Sequence, residues 1–150
     1  MMTLTLRRFD DLTPRELYAI LKLRVDVFVV EQNCPYRELD DRDQEALHLW
    51  YADEDGIAAY LRVLGPGVES AYPALGRVIS VRRRTGLGTA LLREGIRAAE
   101  EAFGADALYL EAQTYAIPFY EKSGFRVASG EVLIDGIPHV QMLRASKQSE

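Results

Sequence analysis

Apolar and polar residues alternate from Thr3 to Arg8, with Leu4 and Leu6 on one side, which predicts a first strand. The pattern changes at Thr13-Pro14-Arg15-Glu16, where a capping threonine, a proline suited to the first helical position and a glutamate that closes a capping box mark a helix start. Leu17, Ile20, Leu21 and Phe28 then fall on one stripe, and the helix is expected to end near Glu31 or Gln32. Arg24 lies in that apolar stripe, so it must snorkel or pair with a carboxylate. Asn33-Cys34-Pro35-Tyr36 breaks the helix, because proline disfavours a helical residue before it, and Asp40-Asp41-Arg42-Asp43 reads as a polar loop.

Leu47 to Tyr51 and Gly56 to Leu64 read as strands joined by a short acidic turn, and Gly65-Pro66-Gly67 ends the second. Leu75 to Val81 is a fourth strand. Leu87, Leu91, Leu92, Ile96 and Ala99 recur at helical spacing, predicting a long helix from about Gly86 to Phe103 with Gly104 as its C-cap. Ala107 to Ala112 is a fifth strand, and Ile117 to Ser123 is a short helix ended by Gly124. Two last strands, Phe125 to Ile134 and Ile137 to Arg144, meet at the hairpin signal Asp135-Gly136. The order β-α-β-β-β-α-β-α-β-β predicts one domain spanning residues 1–150, built on a mixed α/β sheet.

Bulk properties narrow the function. The 150 residues suit one domain, and a net charge of -5 argues against nucleic-acid binding while favouring a cationic substrate. Cys34 is the only cysteine, which excludes an internal disulfide and fits a reducing compartment. Met1 to Arg8 lacks the apolar core of a signal peptide, and no apolar run approaches a membrane span. A cytoplasmic setting is expected. His48 and His139 are too isolated for a metal site.

The chemistry concentrates in Gly76-Arg77-Val78-Ile79-Ser80-Val81-Arg82-Arg83-Arg84-Thr85-Gly86-Leu87-Gly88-Thr89. A strand runs into an Arg- and Gly-rich turn, which opens an amphipathic helix. N–H groups at a helix start lack internal partners and point toward an anion, and Gly86 and Gly88 permit close backbone approach. Arg82, Arg83 and Arg84 add positive charge to an acidic chain. These features suggest a pyrophosphate cradle; the competing reading is a solvated basic turn.

Arg83-x-x-Gly86-x-Gly88, and downstream Ala116-Ile117-Pro118-Phe119-Tyr120-Glu121-Lys122-Ser123-Gly124-Phe125, resemble two motifs of the GNAT acetyltransferase superfamily at the right separation. Arg24 to Tyr36, Asp40, His48 and Gly136-Ile137-Pro138-His139 are similar to its ElaA-like branch, although the link from Val81 to Arg83 is shorter than in that branch. The resemblance implies a mostly antiparallel central sheet of about seven strands, flanked by helices and splayed between strands four and five. It implies that acetyl-CoA is the co-substrate, with the pantetheine arm along Ile79, Ser80 and Val81 and the phosphates at Arg83, Arg84, Thr85, Gly86, Leu87, Gly88 and Thr89. A primary amine of a small molecule or peptide would attack the thioester directly.

Tyr120 is the candidate acid, because a phenol is protonated at neutral pH and can donate to a departing thiolate; it could equally be a packed aromatic whose hydroxyl only reaches the ligand. Glu111, alternating with Tyr109 and Gln113 on one strand face, is the candidate base. Glu31 and His48 are expected near the acceptor mouth, and Cys34 reads as a small buried hydrophobe. A non-catalytic module that binds acyl-CoA and regulates a partner is the alternative, and a homodimer is left open. A P-loop binder is disfavoured because Thr89, not lysine, follows Gly88.

Overall fold

The computed structural model describes residues 2–81 and 85–146. β1 (Thr3–Arg8) leads through a short 3-10 turn into α1 (Pro14–Arg24). The Thr13 capping box forms as expected: Glu16 N–H donates to Thr13 Oγ1 at 3.1 Å and Thr13 N–H donates to Glu16 Oε1 at 2.9 Å. The expected single helix to Glu31 does not persist. From Val25 to Glu31 it widens to a π-helix, closed by Gln32 N–H donating to Val27 O at 3.2 Å. The β-branched residues Val25, Val27, Val29 and Val30 crowd a tight helical turn here. With i→i+5 bonding, residues five apart approach one face, and Asp26 and Glu31 line the same cleft.

β2 (Leu47–Asp53), β3 (Gly56–Leu64) and β4 (Ala74–Ser80) continue the antiparallel run, α2 (Leu87–Phe103) follows, and β5 (Ala107–Gln113) lies parallel to β4. α3 (Ile117–Glu121) leads to β6 (Arg126–Val127), β7 (Val132–Ile134) and β8 (Ile137–Ala145). The sheet has eight strands in the order β1-β2-β3-β4-β5-β8-β6, with β7 also on β8. The expected strand from Phe125 to Ile134 is therefore split. Ala128 N–H still donates to Gln141 O at 2.8 Å, but Ser129 to Glu131 leave the ladder, the Ser129 hydroxyl accepting the Gln141 N–H at 2.9 Å, a short polar side chain competing for a sheet donor. Asp135 and Gly136 turn the β7–β8 hairpin with φ of 51° and 79°, the paired positive values of a type I′ turn.

Successive strand residues face opposite sides. Leu49, Leu61, Leu75, Leu108, Leu110 and Met142 pack with Leu91, Leu92 and Ile96 of α2, while Trp50 and Tyr60 meet Ile20 of α1 on the other side. β4 bulges between its pairs Arg62–Gly76 and Tyr60–Ile79, where Arg77 takes a left-handed φ of 53°.

That bulge joins a buried charge network. Arg24 donates from Nε to Glu38 Oε2 at 2.7 Å and from Nη1 to Asp43 Oδ1 at 2.6 Å, so the arginine of the apolar stripe does pair with carboxylates. Arg62 reaches Asp43 at 2.9 Å and Asp40 at 2.6 Å. Arg77 reaches the same Glu38 Oε2 at 2.7 Å. Burial opposes charge on the two aspartates, but the hydrogen bonds and charge of Arg62 hold Asp40 well below the usual carboxylate range, and those of Arg24 lower Asp43. His48 is fully buried beside them. Its Nε2 lies 3.0 Å from the Asp43 carbonyl, which can only accept, so Nε2 carries the proton and Nδ1 accepts from the Tyr60 hydroxyl at 2.7 Å. Burial lowers its pKa, consistent with this neutral form.

Two outcomes follow for stability. A Cβ on Gly95 would lie 2.9 Å from Leu61 Cδ2 and 3.1 Å from Leu75 Cδ2, so Gly95→Val should overpack the α2–sheet contact and cost about 1–3 kcal/mol in denaturant unfolding. Asp40, Asp43 and His48 all have folded pKa values below their unfolded ones, so the unfolded chain takes up protons first as pH falls. Their stabilisation is full above the unfolded values and lost below them. Tm should therefore fall first below pH about 6.5, from His48, and more steeply below about 4, from the aspartates. Thermal melts followed by circular dichroism test this, and a flat Tm from pH 7 to 3 would contradict it.

Candidate functional site

β4 and β5 pair only at Ala74–Tyr109, supported by Tyr109 N–H donating to Pro73 O at 2.9 Å. Beyond that point the strands part, as the resemblance implies, and a cleft of about 1300 Å³ opens between them. Ile79, Ser80 and Val81 line it from the β4 side. Beyond Ala74, β4 thus borders the cleft where β5 does not pair with it.

The cleft reaches the N-terminus of α2, where Gly86, Gly88 and Thr89 line it. Gly86 adopts φ 78°, a conformation that favours glycine, and among the described residues no side chain caps the helix from that position. Leu87 N–H donates to Thr85 Oγ1 at 3.4 Å; Thr85 and Leu87 shape this turn without lining the cleft. A Cβ on Gly88 would lie 3.5 Å from Ser80 Cβ and 3.6 Å from Phe119 Cζ, filling the space between these two lining side chains. First-turn N–H groups at the positive end of a seventeen-residue helix suit an anion. Arg82, Arg83 and Arg84 lie outside the described residues.

Tyr120 stands on α3 in the same cleft. Its ring meets Phe119 edge-on at 5.0 Å and Phe125 at 6.2 Å, and Gly124, at φ 94°, ends the turn. Burial pushes the phenol pKa up, which keeps it protonated. Among the described residues none hydrogen-bonds its hydroxyl.

Acidic groups line the opposite part of the cleft. Glu111 projects exposed from β5 and accepts the Tyr109 hydroxyl at 2.7 Å. Glu69 lines the cleft as well, and burial followed by the charge of Glu111 raises its pKa. It forms an ion pair with Arg42, whose Nη1 lies 3.4 Å from Oε1. Glu31 lines the cleft from the π-helix. Gln113 donates to Gln32 at 3.4 Å, and His139 Nδ1 donates to Ile137 O at 2.7 Å, leaving Nε2 for another partner. Cys34 is buried at the cleft wall with its thiol 3.5 Å from Asp135 O.

The structure thus brings together Ile79, Ser80, Val81, Gly86, Gly88, Thr89, Glu31, Glu111 and Tyr120. His48 is not at the mouth. It is enclosed between β2, β3 and the charged loop, because its two ring nitrogens are satisfied by Tyr60 and Asp43. Glu69, Tyr36 and Arg77 also line the cleft and escape the sequence reading. Gly76 within a strand pattern is the one local signal of the bulge that carries Arg77.

A family model described as an acetyltransferase (GNAT) domain matches residues 11–145. A UPF0039 protein of Mycobacterium tuberculosis is 42% identical over 150 residues, covering 95% of this chain and 94% of its own length. ElaA of Escherichia coli is 34% identical over 139 residues, covering 90% and 91%. Its crystal structure superposes with a TM-score of 0.89 over 96% of this chain and 99% of that one. An acyl-CoA N-acyltransferase from Pseudomonas aeruginosa superposes with a TM-score of 0.90 at 39% identity, over 97% and 100% of the two chains. The splayed sheet, the open helix end and nearly full-length similarity agree, and this chain belongs to the GNAT acetyltransferase family, alongside ElaA.

Proposed function

We propose that this chain is an N-acetyltransferase that moves the acetyl group of acetyl-CoA to a primary amine of a small molecule or peptide. Family membership supports acyl-CoA-dependent acyl transfer. The observation that carries the finer reading is one continuous cleft joining the α2 N-terminus, the open edge of β4, the Tyr120 hydroxyl and a carboxylate-lined end. The residues fit coenzyme A: Gly88 leaves free the space its side chain would take, and the first-turn N–H groups face an anion's position. Arg83 and Arg84 would add charge to the phosphates.

Acetyl-CoA supplies the thioester whose C–S bond breaks as the amine nitrogen bonds to its carbonyl carbon. Tyr120 would donate its hydroxyl proton to the departing sulfur; burial favours the neutral phenol that carries that proton. The attacking nitrogen must shed a proton. Glu111, exposed in the cleft, would take it directly or through water, with Tyr109 holding its Oε2. Glu31 and Glu111 together would place negative charge where an ammonium ion enters, which raises its local concentration.

Release of free coenzyme A thiol, measured across amino acids, diamines and short peptides, tests the reading; coenzyme A binding without turnover of any amine would favour a non-catalytic module. Gly88→Val should push into the gap beside Ser80 and Phe119 and weaken coenzyme A binding about tenfold or more, roughly 1.4 kcal/mol by calorimetry. Unchanged affinity in a folded variant would remove the helix end from the binding site. Tyr120→Phe keeps the ring contacts and deletes only the hydroxyl. If that hydroxyl protonates the thiolate, single-turnover rate should drop at least about a hundredfold with coenzyme A affinity nearly intact. If it only bonds the bound molecule, affinity should weaken by about 1 kcal/mol and the rate should hold.

A further inference from the structure

Arg77 combines a left-handed strand position with a grip on the charged loop, where it meets the same Glu38 oxygens as Arg24. Its φ of 53° forms the bulge that separates the Arg62–Gly76 pair from the Tyr60–Ile79 pair, on the strand that borders the cleft. Its side chain leaves that strand for the irregular segment after the π-helix. Nε donates to Glu38 Oε2 at 2.7 Å, Nη2 donates to the Glu38 carbonyl at 3.1 Å, and Nη2 reaches Asp40 Oδ2 at 3.4 Å. The guanidinium carbon also stands 5.8 Å from the centre of the Tyr36 ring. Glu38 is only 3% exposed, and its other oxygen accepts the Tyr36 hydroxyl. Tyr36 itself lines the cleft.

A left-handed φ strains any residue with a Cβ, and glycine would occupy it without strain. An arginine at this place is explained by its side chain. Segment 33–42 contains no helix or strand, and ion pairs tie it to the sheet: Arg62 of β3 holds Asp40 and Arg77 of β4 holds Glu38. Arg24 fastens Glu38 to α1, whereas Arg77 fastens it to the strand along which we place coenzyme A.

We infer that Arg77 is a positioning residue: its guanidinium fork acts through the buried Glu38 to fix the cleft wall at Tyr36 relative to β4, and so sets where the acceptor amine sits against the thioester. This inference rests on the acyl-transfer reading only for what the wall positions; the fastening itself is independent of it.

Arg77→Gly keeps the backbone comfortable at φ 53° and leaves Glu38 its bond to Arg24, so the fold and the bulge should survive. Arg77→Lys keeps the charge without the fork. Hydrogen exchange by mass spectrometry should show amides of residues 33–42 exchanging at least roughly tenfold faster in the glycine variant, with the lysine variant between it and wild type and α2 unchanged. Coenzyme A affinity by calorimetry should stay within about twofold. With the amine that turns over fastest in the thiol-release panel, acceptor KM should rise about fivefold or more while kcat changes less, and lysine should restore part of it. Wild-type exchange over 33–42 together with wild-type acceptor KM in Arg77→Gly would overturn the inference. If the glycine variant does not fold, Arg77→Lys decides: faster exchange over 33–42 supports the fork, and wild-type exchange overturns it. Failure of the acyl-transfer reading looks different: no amine turns over in the wild-type protein, while the exchange experiment still reads the fastening.

Discussion

Burial of charge is the constraint on which the rest of this molecule depends. Arg24 and Arg62 are at most 1% exposed, and Glu38 and Asp43 are nearly as enclosed. Each such ion costs several kcal/mol to remove from water, and removing one partner of a buried pair costs about 3–5 kcal/mol. The network answers by matching arginines Arg24, Arg62 and Arg77 with carboxylates Glu38, Asp40 and Asp43, several of which accept two arginine donors. α1, β3, β4 and the irregular loop must all be present for the charges to be satisfied. The loop therefore takes its shape from fixed partners on three elements, and hydrophobic burial contributes little to it.

That arrangement also divides labour along the cleft. The arginines nearest the acceptor half are already committed to carboxylates, so they do not neutralise Glu31 or Glu111. Negative charge at that end is left to face the solvent, while the positive end of α2 faces the other. A molecule with phosphates at one end and a reactive group that meets an incoming ammonium ion at the other matches this polarity.

Much of the fold is legible in short-range chemistry. Thr13 and Glu16 specify a helix start in four residues, Gly104 specifies a stop, and Asp135-Gly136 specifies a hairpin, because each acts on backbone groups within a few positions. The turn at the α2 end of the cleft is legible for the same reason: Gly86 and Gly88 are local requirements of that turn. The widening at Val25, the split at Ser129 and the bulge at Arg77 are not. The last two are decided by distant partners, Gln141 for Ser129 and Glu38 for Arg77, while the widening rests on a run of valines that a helical stripe does not distinguish. His48 illustrates the same limit. A histidine in a strand pattern carries no mark of which face it takes or what meets its ring nitrogens, and here Tyr60 and Asp43 meet both.

The acceptor side is less legible than the cofactor side for a physical reason. A pyrophosphate is held by backbone N–H groups, whose placement needs glycines and a helix start, and these leave a signature in sequence. In the reading proposed above, an amine would meet side chains from separate elements: Glu31 from the π-helix, Glu69 from the loop after β3, Glu111 from β5 and Tyr36 from the charged loop. No spacing rule links those residues. What links them is the network, since moving Glu38 would move Tyr36 with it, and Glu38 is held equally from α1 and from β4. In the proposed reading, variation in acceptor choice can therefore arise at the loop without disturbing the helix end where we place the phosphates, provided the carboxylate shared by Arg24 and Arg77 stays in place.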